Sequence, residues 1–138
     1  MKIVFDTNVY IAEALGGNAA TAIIAATERA RWRIFISDYL LDELQAVLIE
    51  DFGFTQRLAD LSLAKSTLRS QIVDVPPSRH RVPDDEDDTQ ILGTVIAAGA
   101  DYLITNDLHL LRLDPYEGIR IISMTAYYEL LVHDGLLP

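Results

Sequence analysis

Apolar residues fall along this chain in two kinds of block. Short unbroken apolar runs alternate with longer stretches in which apolar positions recur every three or four residues. The first kind predicts strands covered on both faces, the second amphipathic helices. Ile3, Val4 and Phe5 form the first run, closed by Asp6. Thr7 and Asn8 can cap a short helix behind it, which Gly16, Gly17 and Asn18 break. An alanine-rich helix over 19–31 leads to a strand over 33–37. Ser37 or Asp38 caps a helix over 39–51, carried by Leu40, Leu44, Val47 and Leu48 and ended by Gly53. A further amphipathic helix over 55–70, with Leu58, Leu61 and Leu68, precedes a strand over 72–75 that Pro76 and Pro77 stop. Ile91, Leu92, Val95 and Ile96 then share one face of a helix over 90–98, with Gly99 as its C′ residue. A strand over 102–104, a short helix or turn over 108–113, a strand over 119–122 and a helix over 125–133 complete the chain.

Strands separated by helices predict an α/β fold with a central parallel β-sheet flanked by helices on both faces. Neither a repeat nor an interdomain linker interrupts the pattern, so we expect a single domain over 1–138. In such folds ligands sit beyond the carboxyl ends of the strands.

Composition narrows the functional classes. Cysteine is absent, which excludes disulfides and thiolate metal sites and suits a cytoplasmic protein. The N-terminal segment carries no long apolar stretch, and no run approaches a membrane span, so no membrane association is expected. The net charge of −10, from 21 acidic and 11 basic residues, argues against a protein that coats nucleic acid with a basic face. It does not argue against a nuclease, because a cation held by clustered acids reverses the local sign. Arg29, Arg31 and Arg33, and likewise Arg79 and Arg81, read as surface charge or as substrate contacts.

Residues 82–92 read VPDDEDDTQIL, five carboxylates running into an apolar helix. The bland reading is an exposed acidic helix start. A sharper one comes from position. Asp6 closes the first strand, Asp107 follows the strand over 102–104, Asp88 begins the helix before that strand, and Glu43 lies early in the helix after the second strand. All four map to one edge of a parallel sheet. Each also has a local reading: Asp6 as a helix cap, Glu43 and Asp88 as acids near a helix N-terminus, Asp107 as a turn residue. Taken together, four gathered carboxylates are costly when empty, since two charges about 4 Å apart repel by roughly 4 kcal/mol at an effective dielectric of 20. Such a group binds protons or a cation. An oxygen donor set without Cys or a paired His motif favours Mg2+ or Mn2+, and phosphodiester hydrolysis is the natural chemistry. Asp85 or Asp87 can replace or assist Asp88 within the acidic run.

Other chemistries fit less well. Counted from Asp84 as an EF-hand loop, position six is Thr89 rather than Gly and position twelve is Val95 rather than Glu. An aspartyl phosphotransferase wants a second Asp two residues after Asp6, where Asn8 stands. Phosphate-cradling glycine loops are absent, and His80, His109 and His133 read as surface or turn histidines. A non-catalytic binding module is the rival from another class.

VFDTNV at 4–9, LLDELQAVL at 40–48 and DDEDDTQILGTVIAAGADYLITNDLHLL at 84–111 resemble the PIN-domain family. More narrowly, the chain is similar to the small prokaryotic, VapC-like ribonucleases that act as toxin components of toxin–antitoxin pairs. The resemblance covers nearly the whole chain. It implies a PIN-like fold and an Mg2+- or Mn2+-dependent endoribonuclease whose metal-binding and catalytic acids are Asp6, Glu43, Asp88 and Asp107. Asn8 then supports Asp6, and Thr105 makes a polar contact near the metal or phosphate. The fourth motif, often T-G-D or T-R-N in related sequences, here reads Thr105-Asn106-Asp107. The resemblance further implies an RNA substrate, a homodimer and an antitoxin protein whose tail fills the acidic groove. A housekeeping nuclease without an antitoxin is the alternative within the family.

Overall fold

The structure is a computed structural model that describes residues 1–76 and 86–138, the side chain of Glu86 excepted. In chain order the elements are β1 (Lys2–Phe5), α1 (Thr7–Ala14), α2 (Asn18–Arg29), β2 (Arg33–Ser37), α3 (Asp38–Glu50), α4 (Gln56–Arg69), β3 (Ser70–Val73), α5 (Glu86–Ala98), β4 (Tyr102–Ile104), α6 (Leu108–Leu111), β5 (Arg120–Ile122) and α7 (Met124–His133). The strands form one parallel sheet in the order β3-β2-β1-β4-β5, with helices on both faces, as the alternation of blocks predicts.

From β1 the chain steps outward through β2 to β3. It then crosses back to lay β4 and β5 on the other side of β1. The strand order therefore reverses between β1 and β4, and the carboxyl ends of those two strands border the crevice where doubly wound sheets bind ligands. Ile3, Val4 and Phe5 are completely buried, and so are Leu103 and Ile104. The Phe5 ring meets Tyr10 and Tyr127 edge-on, each with centroids 5.9 Å apart, which fixes the end of β1 in the core.

Side-chain caps set several helix starts. Leu40 N–H donates to Ser37 Oγ at 3.4 Å, Leu58 N–H to Thr55 Oγ1 at 3.2 Å and Ala126 N–H to Ser123 Oγ at 3.0 Å. Gly99, with φ +61°, closes α5 as expected of a C′ glycine. Gly93 permits a different fit. A Cβ there would lie 2.5 Å from Val75 Cγ1, so a larger residue would push the Val75 side chain aside where α5 passes the segment after β3.

Three local features depart from the sequence pattern. α5 begins at Glu86 rather than near 90, because acids in a first turn are favoured by the helix dipole although they carry no apolar signal. β3 begins at Ser70, directly at the end of α4, rather than at 72. α4 buries the small residues Ala59 and Ser66, while Leu58, Leu61 and Leu68 stand 50%, 59% and 88% exposed. The leucines thus mark the outer side of that helix. No single helix among the described residues is long and apolar enough to cross a membrane.

Candidate metal centre

The site is built on β1 and β4. Their register pairs Phe5 with Ile104, and Asp6 N–H donates to the Ile104 carbonyl at 2.9 Å, so Asp6 and Thr105 leave the sheet side by side. Thr105, completely buried, donates its hydroxyl to Asp6 Oδ2 at 2.7 Å and accepts the Asp107 N–H at 3.0 Å. Thr7 N–H donates to Asp6 Oδ1 at 2.8 Å. Asp6 therefore caps α1 and lines the crevice at once, and its two roles are one arrangement. Asp107 likewise caps α6 by accepting the His109 N–H at 2.8 Å while its side chain borders the same space.

Two helices bring the remaining acids. Glu43 comes from the second turn of α3, and Asp87 and Asp88 from the first turn of α5. Together Asp6, Asn8, Leu40, Glu43, Asp87, Asp88 and Asp107 line a cavity of about 250 Å³. Asn8 is exposed and Asp88 is buried. Asp87 joins the lining as well, steadied by the Tyr39 hydroxyl, which donates to its Oδ1 at 2.5 Å. Asp84, Asp85, His80, Arg79 and Arg81 lie outside the described residues.

Among the described residues no Lys or Arg forms an ion pair with Asp6, Glu43, Asp87 or Asp107. Burial, and after it the neighbouring Asp87 charge, pushes Glu43 from an ordinary 4.5 up to about 7. Burial raises Asp6 too, and the Asp107 and Asp87 charges add to that. Hydrogen bonds from Thr105 and Thr7 pull in the opposite direction. Glu43 Oε2 is buried and receives no hydrogen bond. A buried carboxylate oxygen left without a donor, amid other carboxylates, is what a divalent cation with hard oxygen ligands would satisfy, and the donor set fits one.

His109 was not expected here. Atoms of Asp88, Asp107 and His109 able to ligate a metal all lie within 4.8 Å of one another. Its only trace in the sequence is a position two residues after Asp107, at the start of a helix too short to show periodicity. Arg33, read as free surface charge or a substrate contact, bonds Gln71 Oε1 at 2.7 Å and lies 5.0 Å from the Phe35 ring centroid.

A family model described as a PIN domain matches residues 2–109, a span that contains the whole lining of the cavity. Two solved structures are similar in fold. The VapBC2 proteins from Rickettsia felis, bound to a DNA fragment from their promoter, match with 17% identity and a TM-score of 0.66, over 89% of this chain and 98% of that one. VapBC-1 from nontypeable Haemophilus influenzae matches with 18% identity and a TM-score of 0.61, over 91% of this chain and 99% of that one. No curated protein matches the chain.

Proposed function

The chain belongs to the PIN-domain family, and from that premise we propose that it is an Mg2+- or Mn2+-dependent endoribonuclease, the toxin component of a toxin–antitoxin pair. The observation that carries this reading is the gathering of Asp6, Glu43, Asp88 and Asp107 around one cavity at the point where the strand order reverses.

In this reading the four acids hold the cation, directly or through water. Thr105 and Thr7 N–H keep both Asp6 oxygens aimed before anything binds, and Thr105 also fixes the backbone of Asp107. Asn8 supports the rim beside Asp6. A bound Mg2+ or Mn2+ supplies Lewis-acid polarisation of a phosphate oxygen and lowers the pKa of water. One carboxylate of the cavity accepts the proton released as water attacks phosphorus.

The partners follow from the same reading. The two similar structures are VapBC assemblies, which supports an antitoxin. An Arg or Lys from its tail would meet the carboxylates of the cavity through charge-assisted hydrogen bonds. Leu58, Leu61 and Leu68 on the outside of α4 support a homodimer contact. The cytoplasm is the location we assign. The test is RNA cleavage by the Asp6→Asn variant with Mg2+ or Mn2+ present. Loss of most activity with an unchanged circular dichroism spectrum is expected, and cleavage as fast as the parent would refute the assignment.

A further inference from the structure

We propose that His109 is a ligand of the same cation site, and that its imidazole gives the site a preference for Mn2+ over Mg2+. The inference rests on reading the acidic cavity as a divalent-cation site and goes beyond the four acids that define it.

Geometry comes first. Ligand atoms of Asp88, Asp107 and His109 lie within 4.8 Å of one another. Donors about 2.0–2.2 Å from a six-coordinate ion sit roughly 3 Å apart when adjacent and 4.2 Å when opposite. A small rotation of an exposed imidazole covers the difference. The backbone already fixes how the residues face each other, because His109 N–H donates to Asp107 Oδ1 and Asp107 N–H donates to Thr105 Oγ1. Thr105 in turn holds Asp6 at 2.7 Å. One chain of hydrogen bonds thus links the imidazole-bearing residue to two acids of the cavity. On the same cavity, Glu43 Oε2 is buried without a donor in hydrogen-bond geometry and adds a hard oxygen that a cation would satisfy. His133 offers a contrast: it is 90% exposed and lies 3.3 Å from Asp134 alone, an ordinary surface pair.

Chemistry then sets the selectivity. Mg2+ holds hard oxygen donors and gives up its waters reluctantly, whereas first-row transition ions bind imidazole well. Adding one nitrogen donor to a carboxylate set therefore strengthens Mn2+ binding more than Mg2+ binding.

The experiment is pulsed electron paramagnetic resonance on the tag-free full chain loaded with Mn2+, beside calorimetric titration with Mn2+ and Mg2+. The parent should show modulation from one directly coupled imidazole nitrogen, and His109→Gln should remove it. In that variant Mn2+ affinity should fall by about tenfold and Mg2+ affinity by less than about twofold. His109 is exposed on α6, so folding of the variant is checked simply by its circular dichroism and melting temperature. Mn2+ bound without nitrogen coupling in the parent, or coupling that persists in His109→Gln, overturns the role of His109 and leaves the carboxylate site standing. Failure of the parent to bind Mn2+ at all overturns both.

Discussion

Two ends of α1 treat buried carboxylates in opposite ways. At the far end Glu13, with 8% of its side chain exposed, takes both terminal nitrogens of Arg69 at 2.6 and 2.7 Å, and Lys65 stands 3.6 Å away. There the fold supplies the countercharge. At the near end Asp6 meets Glu43, Asp87, Asp88 and Asp107 around one cavity, and no Lys or Arg among the described residues ion-pairs with Asp6, Glu43, Asp87 or Asp107. The described residues thus give Glu13 a countercharge and give none by ion pairing to Asp6, Glu43, Asp87 or Asp107. Glu13 is structural; an acidic cluster of the other kind could bind a divalent cation, and costs stability without one.

That contrast can be broken or sharpened by four changes. The largest effect is expected from Asp6→Asn, which keeps the shape and the cap but removes a charge. Cleavage of RNA should fall by about a thousandfold, with the melting temperature equal to or above that of the parent. Next comes Arg69→Ala, which takes both close hydrogen bonds from Glu13 and leaves it only Lys65 at 3.6 Å among the described residues. Chemical denaturation should show a loss of about 3 kcal/mol, while Mn2+ affinity of the folded protein stays as it was. A drop in that affinity would dissolve the distinction between the two ends of α1. Thr105→Val tests how far the sheet aims the acids. It removes a donor from Asp6 and an acceptor from Asp107 N–H, and should cost about 1–2 kcal/mol in stability and about tenfold in Mn2+ affinity. Unchanged affinity would reduce Thr105 to a packing residue.

The smallest effect concerns pH. Glu43 is raised in the fold to about 7 from an ordinary 4.5. Between those values the folded chain keeps a proton that the unfolded chain has released, so metal-free stability falls as pH rises through that window. Melting curves from pH 4 to 8 without metal should show the decline, and Glu43→Gln should flatten part of it. A variant profile superimposable on the parent's would remove Glu43 from the account.

Much of this arrangement is legible in the sequence, for definable reasons. Ile3-Val4-Phe5 followed by Asp6 marks a buried strand and the acid at its end, because apolarity stops where the sheet meets the crevice. Tyr102-Leu103-Ile104 before Thr105 and Asp107 does the same for β4. The register within the acidic run stays open in the sequence between Asp85, Asp87 and Asp88, because consecutive carboxylates give no contrast; in the structure Asp88 is buried and Asp87 also lines the cavity. What escapes is whatever depends on contacts between elements. The Tyr39 hydroxyl reaches Asp87 across 48 residues. His109 becomes a neighbour of Asp88 only in the folded chain, which brings their ligand atoms within 4.8 Å. The outward leucines of α4 mislead because leucine spacing alone cannot tell a core face from one turned to solvent.

The central claim is that the carboxylates of the cavity share one divalent cation. A crystal of the protein soaked in Mn2+ tests it most directly, through anomalous scattering at the manganese edge. The account predicts a single strong peak within coordinating distance of Asp6 and Asp88, with Glu43 and Asp107 bound to it directly or through water. A cavity that remains free of anomalous density in saturating Mn2+, with Asp6 and Asp88 turned away from each other, would contradict it.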